Sequence, residues 1–209
     1  MSKDNMEERE ARKYRTIVAD PPWPIAWPKG GKRSAGNTAA TASAPCMNKD
    51  YPIRPLPYET MSIDDIAALP VESMAADDAL LFMWTLDRYV LDGSVTKIMG
   101  AWGFVVRPRM IVWHKASAGL GQEIRPAHEL VAIGSRGNAK LGKHSLRSVA
   151  EWQQPYEGGA KVHSAKPDAA LDWFEMLGEP PYVELFARRA RFGWDYWGNE
   201  SLGTAELAA

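Results

Sequence analysis

Apolar positions along this chain fall into short unbroken runs and longer stripes at helical spacing. Thr16-Ile17-Val18-Ala19 reads as a short buried strand, and Ala79-Leu80-Leu81-Phe82-Met83-Trp84 as a central strand covered on both faces. Leu91, Val95, Ile98 and Trp102 recur at helical spacing, and Gly103 is placed to end that helix. Ala170, Trp173, Phe174 and Leu177 mark another amphipathic helix, with Pro167 and Asp168 at its start and Gly178 just past its end. A shorter helix is predicted from Met61 to Leu69, where Ser62 and Asp65 fit a weakened capping box, Met61 and Ile66 a hydrophobic staple, and Pro70 a stop. Strands from Phe104 to His114, broken by Arg107-Pro108, and from Glu129 to Ile133 read as a long-looped antiparallel pair. A last buried strand runs from Tyr182 to Ala187. Ser135 to Gly159 is loop-like, with at most a short strand near Val149. Strands alternating with helices predict an α/β protein with an open, largely parallel sheet and helices on both faces. Ligands of such sheets sit at the carboxyl ends of strands, where Asp20 and Arg188 both fall.

The stretch from Pro24 to Pro57 breaks this regularity, being rich in Pro, Gly, Ala, Ser and Thr with no periodicity. A loop of that length within a domain is a candidate substrate lid. Apolar content of 45% and charged content of 24% are those of a globular protein, and the length favours one domain. The domain is expected over 14–203, with a polar lead-in over 1–13 and a tail over 204–209. The single cysteine, Cys46, excludes an internal disulfide framework and a thiolate-rich zinc site. A charged amino terminus unlike a signal peptide, and no apolar run near the roughly 20 residues of a membrane span, lead to an expected cytoplasmic location. Net charge is −1, so no global field holds a polyanion, and any basic surface is local. The candidate patches are Lys29, Lys32 and Arg33; Arg136, Lys140, Lys143, His144 and Arg147; and Arg188, Arg189 and Arg191. Each is equally a solvated surface loop. Nine tryptophans exceed what a core of this size demands, so some are candidate stacking platforms, with Trp102 and Trp173 read as core.

The chemistry concentrates at Asp20-Pro21-Pro22-Trp23, directly after the first strand. The exocyclic amine of a nucleobase is a weak nucleophile because its lone pair is delocalised into the ring. A carboxylate that accepts one amine hydrogen, with a backbone carbonyl that accepts the other, stabilises the ammonium developing during methylation. Two prolines fix φ and hold the acceptor carbonyls in place beforehand, and Trp23 offers a wall for the base. The competing reading is a Pro-rich turn whose Asp caps a neighbouring backbone group.

Further segments extend the pattern: Pro57-Tyr58-Glu59-Thr60-Met61-Ser62, Leu81-Phe82-Met83-Trp84, Ala101-Trp102-Gly103-Phe104, Val112-Trp113-His114-Lys115, His163-Ser164-Ala165-Lys166-Pro167-Asp168, Glu184-Leu185-Phe186-Ala187-Arg188, and Gly193-Trp194 through Trp197-Gly198-Asn199-Glu200. In this order and spacing, over residues 14–203, the chain resembles the MT-A family of adenine-N(6) methyltransferases. That family contains the catalytic subunit of the eukaryotic mRNA adenosine methyltransferase and many bacterial and phage proteins.

The resemblance implies a Rossmann-like, class I S-adenosylmethionine-dependent fold, with a mixed, mostly parallel sheet and the catalytic motif ahead of the cofactor segments. It implies catalysis by Asp20, Pro21, Pro22 and Trp23. It also implies cofactor contacts from Asp20, Lys166, Arg188, Asn199 and Glu200, with Lys166 near the methionine carboxylate, Arg188 near ribose or carboxylate, and the last two at the adenosine. Tyr58 and Trp84 match positions lining the target-base pocket, while Trp113, Lys115 and Glu129 match positions near the substrate cleft. Trp84 is equally placed to be a core residue at its strand end. No metal is implied: His114, His128 and His163 fit no ligand spacing, and a sulfonium methyl is already electrophilic. The sequence departs from the family pattern at Ala169, usually acidic, at Glu200, an amide in the eukaryotic enzyme, and in the longer Ile25–Pro57 loop. The expected partner is nucleic acid carrying the target adenine, DNA before RNA, with a second copy or partner chain left open. Two alternatives stand beside this, a catalytically silent module of the same fold and transfer to the cytosine amine.

Overall fold

The strand that carries the tetrapeptide, β1 (Tyr14–Ala19), begins two residues earlier than its apolar run, and Tyr14 and Thr16 through Ala19 are all buried. The computed structural model describes residues 12–24, 59–116, 124–142, 145–162 and 164–198. The expected lid loop, Tyr58, Asn199, Glu200, the first basic patch and part of the second lie outside these.

After the loop come two short helices, α1 (Ile63–Ala67) and α2 (Val71–Met74). Ser62 caps α1 by accepting the Asp65 N–H, and its hydroxyl donates to the Asp65 carboxylate at 2.6 Å, so the expected cap forms with the return bond made to the hydroxyl. The central strand β2 (Ala75–Thr85) follows, buried from Ala79 onward. One helix was expected next, but the chain makes two, α3 (Asp87–Leu91) and α4 (Ser94–Ala101). Gly93 sits between them at φ 83°, and the Asp92 carboxylate accepts the Ser94 N–H at 2.9 Å to begin α4 afresh. Leu91 therefore leaves the apolar stripe and is 86% exposed. Gly103, at φ 78°, ends α4 as expected.

The pair β3 (Val105–His114) and β4 (His128–Arg136) is antiparallel, and the Arg107-Pro108 break is absorbed as a register shift between Val106 and Met110. A two-residue strand β5 (Val149–Ala150) pairs with β3, and β6 (Tyr156–Glu157) and β7 (Ala160–Lys161) form a separate hairpin. Helix α5 (Asp168–Leu177) leads to β8 (Tyr182–Leu185). The last strand expected through Ala187 stops at Leu185, because Phe186 turns at φ 62°. An unexpected edge strand, β9 (Trp194–Trp197), then runs parallel to β8.

The sheet order is β5-β3-β4-β2-β1-β8-β9, parallel from β2 through β9 and antiparallel around β4. Ile66, Val95, Ile98, Met99 and Trp102 pack on one face, with Ile17, Leu81, Met83, Val183 and Leu185. Ala170, Leu171, Phe174 and Leu177 pack on the other, with Val18, Phe82, Trp84 and Val131. The neighbours of β1, β2 and β8, are thus reached by connections on opposite faces. The carboxyl end of β1 is the topological switch point, the place where such sheets bind ligands.

Phe174 is fully buried and stacked on Phe82, with ring centroids 4.6 Å apart. Phe174→Ala is expected to lower unfolding free energy by about 3–5 kcal/mol, and Leu91→Ala to change it by less than about 0.5 kcal/mol. Urea denaturation checks both; equal losses would place Leu91 back in the core.

Candidate active site

Four charged side chains from distant parts of the chain meet at the carboxyl edge of β1. Asp20 is the first residue past β1, its N–H donated to the Leu185 carbonyl at 3.4 Å. Because β4 runs antiparallel to β2, with Leu130 opposite Thr85, the first residues of β4 lie at the same edge as the end of β2. Glu129 arrives there opposite Trp113, and Lys115 follows one residue after the end of β3. Lys166 comes from the turn before α5. That turn is pinned by Arg189, which donates to the Lys166 carbonyl at 2.8 Å and pairs with Asp168 at 2.6 Å. Two residues before Lys166, Ser164 holds φ 56°, an uncommon conformation for a residue with a Cβ.

The charges alternate. Lys166 Nζ lies 2.7 Å from Asp20 Oδ2 and 3.4 Å from Glu129 Oε2, and also donates to the Ser164 carbonyl at 3.2 Å. Glu129 Oε1 accepts from Lys115. The Asp20 and Lys166 side chains are 20% and 14% exposed, so these pairs are little screened. Burial raises the Asp20 carboxyl above its ordinary value, against the pull of Lys166. Burial acts the same way on Glu129, but Lys166 and Lys115 together outweigh it and hold that carboxyl low. Burial opposes the Lys166 charge, yet Asp20 and Glu129 overcome it and raise its value. The assembly is one buried acid whose proton affinity is increased, beside a firmly cationic lysine.

The expected aromatic platforms take a different position. Trp84 is 2% and Trp113 0% exposed, packed edge to face at 6.0 Å, so in this conformation neither offers a face to a base. They form a floor beneath the cations: Lys166 Nζ lies 5.4 Å from the Trp84 ring and Lys115 Nζ 4.7 Å from that of Trp113. Trp23 is stacked on Tyr89 at 4.5 Å and donates its indole N–H to the Trp84 carbonyl at 3.0 Å. The Pro21 carbonyl accepts the Trp23 N–H at 2.8 Å and the Pro22 carbonyl the Met61 N–H at 2.9 Å, which ties the turn to the start of α1. The turn is held from several sides, as the proline argument expects, although Trp23 is part of the holding. Trp102 is core as read from its stripe, whereas Trp173 lies at the periphery against Trp152.

In the third basic patch, Arg189 and Arg191 are engaged on α5, Arg191 with Asp172 at 2.6 Å and Glu175 at 2.9 Å. They clamp the helix to the β8–β9 connection, so their charge is largely balanced by the carboxylates of α5. Arg188 remains at the site, where its charge acts on both Asp20 and Lys166. Arg136 of the second patch faces Glu72.

One residue of note carried no role in the sequence reading. Glu184, in the middle of β8, is pushed up to about 7 by burial and by the nearby Asp20 and Asp168 charges, with Arg189 and Lys166 acting against them. A lone carboxylate inside the apolar run Tyr182-Val183-Glu184-Leu185-Phe186 was its visible signal.

The MT-A70 family profile matches residues 14–200. The chain belongs to the MT-A70 family. The MT-A70 resemblance extends to individual proteins. Type II methyltransferase M.MunI of Mycoplasma sp is 30% identical over 192 residues, 90% of this chain and 78% of that protein. The N(6)-adenosine-methyltransferase MT-A70-like of Arabidopsis thaliana is 27% identical over 159 residues, 71% of this chain and 22% of that protein. A probable N(6)-adenosine-methyltransferase MT-A70-like of Oryza sativa subsp. japonica is 26% identical over the same length, covering 21% of its own chain. The chain thus spans most of the bacterial relative but about a fifth of each plant one. The α/β fold and the methyltransferase class expected from the motifs stand together with the family.

The residues present fit the amino-acid head of S-adenosylmethionine. The Lys166 cation and the Asp20 carboxylate meet at the end of β1, a donor and acceptor pair complementary to a zwitterion. Among the described residues, no group of three or more His, Cys, Asp or Glu side chains has a metal-holding arrangement, and no helix is long and apolar enough to cross a membrane.

Glu184 yields a pH-dependent prediction. Its carboxyl is ordinarily near 4.5 and sits at about 7 in the fold, so the folded chain holds that proton more tightly than the unfolded chain. The stabilisation is complete below about 4.5 and is lost as pH rises through about 7. Wild type should therefore gain stability relative to Glu184→Gln as pH falls from about 8 to about 5 in urea unfolding. A difference that stays flat across that window would contradict the assignment.

Proposed function

We propose that this chain transfers a methyl group to the exocyclic N(6) amine of adenine in nucleic acid, with DNA preferred over RNA and S-adenosylmethionine as the donor. The observation that carries the reading is the Asp20 carboxylate at the switch point of the sheet, paired at 2.7 Å with a lysine suited to an anionic ligand. The preference for DNA is supported by the extent of the likenesses. The relatives named for adenosine, the ribonucleoside, are matched over only 22% and 21% of their lengths, whereas the Type II methyltransferase is matched over 78%.

S-adenosylmethionine, when bound, would supply an electrophilic methyl whose bond to sulfur breaks as the N–C bond forms, leaving the neutral thioether S-adenosylhomocysteine. Everything else falls to the chain. Asp20 accepts one hydrogen of the amine and stabilises the positive charge that grows on nitrogen, while a carbonyl of the Asp20-Pro21-Pro22 turn accepts the other. The turn is pre-organised through its bonds to Trp23 and Met61, so little reorganisation accompanies the transfer. Once the new N–C bond has formed, the surplus amine proton passes to Asp20, whose raised proton affinity suits it as acceptor, and from there to water. Lys166 and Arg188, with Asn199 and Glu200, would hold the donor, and Tyr58 would border the base, with Trp23 holding the turn and Trp84 lying beneath Lys166. Lys115 and Glu129 support Lys166. In a duplex the target adenine must leave the stack to reach Asp20.

Asp20→Ala is expected to lower methyl transfer by at least about 100- to 1,000-fold while S-adenosylmethionine still binds in calorimetry. Nucleoside mass spectrometry of separately hydrolysed DNA and RNA from cells producing each chain reads the outcome. Retained N(6)-methyladenine with the variant would sink the role of Asp20, and methylcytosine in its place would change the base.

A further inference from the structure

Lys166 already occupies the group assigned to the substrate amine. An ammonium has three N–H donors, and the acceptors around Lys166 Nζ are Asp20 Oδ2 at 2.7 Å, the Ser164 carbonyl at 3.2 Å and Glu129 Oε2 at 3.4 Å. A nitrogen cation donating to Asp20 is what the methylated amine resembles as its charge develops. An adenine approaching this conformation meets a carboxylate that is partly taken and largely neutralised.

We propose that Lys166 masks Asp20 in the resting chain and leaves it only for the carboxylate of the methyl donor, so that Asp20 is uncovered in chains already loaded for transfer. This rests on the reading of Asp20 as amine acceptor and of S-adenosylmethionine as donor. The surrounding charges permit the exchange without leaving a buried ion alone, which is the costly event in such sites. Glu129 keeps Lys115 when Lys166 departs. Lys166 trades one carboxylate for another. Asp20 keeps the charge of Arg188, which already acts on it, until the substrate amine donates to it.

The local build confines the movement to a side chain. Arg189 fixes the Lys166 main chain through its carbonyl, and the Trp84 ring lies 5.4 Å below the ammonium as a surface over which a cation moves. Lysine suits the task, having a compact charge on a flexible stem where arginine carries a rigid fork. The consequence is an order of binding, donor before nucleic acid, and by linkage each ligand raises affinity for the other by the same factor.

Crystals of the full chain with S-adenosylhomocysteine, and with 5′-methylthioadenosine, which lacks the amino-acid head, test the exchange, with calorimetry establishing that each binds. Lys166 Nζ should move beyond about 4 Å from Asp20 with the first ligand and remain in hydrogen-bond range with the second. In parallel, at S-adenosylhomocysteine concentrations that calorimetry shows to saturate each chain, the ligand should raise wild-type affinity for an adenine-containing oligonucleotide by about tenfold and leave that of a folded Lys166→Met chain unchanged. Lys166 staying on Asp20 with S-adenosylhomocysteine, leaving it with both ligands, or an equal response from the Met variant overturns the mask. If neither ligand binds, the donor assignment itself falls, and the mask with it.

Discussion

Lys166 Nζ lies between the carboxylates of Asp20 and Glu129, 146 residues from the first along the chain, and a buried charge of this kind persists only while it is paired. Each element at the carboxyl edge contributes to that pairing. β1 delivers Asp20, the reversal of β4 against β2 brings Glu129 to the same edge, and Lys115 at the end of β3 satisfies the second oxygen of Glu129. Arg189 holds the turn from below through Asp168 and the Lys166 carbonyl. The tryptophans make the floor. The antiparallel insertion of β4 is therefore what builds the charged cluster, since a strand running the other way would carry Glu129 to the opposite edge.

The apolar runs were sufficient to find β1 and β2 because strands buried on both faces leave continuous hydrophobic sequence. They misled at Leu91, where helical spacing continued across a break that Asp92-Gly93-Ser94 creates through a left-handed glycine and a side-chain cap. β9 escaped notice because an edge strand is only partly covered and Trp194-Asp195-Tyr196-Trp197 shows no unbroken run. Pro108 looked like a strand break and is a bulge, an accommodation that depends on the partner strand and so is invisible locally.

The site divides in the same way. Asp20 was legible from local sequence, because its place after a strand and before two prolines has few structural uses. Lys166 and Glu129 entered only through the family likeness. Their joint hold on Asp20 depends on strand order and could not be read from spacing. Glu184 was visible as a charge in an apolar strand, but its raised proton affinity arises from burial first and then from Asp20 and Asp168, surroundings that only the fold supplies. The abundance of tryptophan suggested stacking on bases. Trp84 and Trp113 instead carry lysines, which shows how aromatic side chains at a ligand edge serve a cation as readily as a nucleobase.

Asp20 and Lys166 form one coupled unit rather than two surface charges that happen to be near. A double-mutant cycle on unfolding free energy, using Asp20→Asn, Lys166→Met and the pair, measures this directly. Each single change should destabilise, the double variant should be less destabilised than the sum of the two, and the coupling should be about 1–3 kcal/mol. Strict additivity would contradict it.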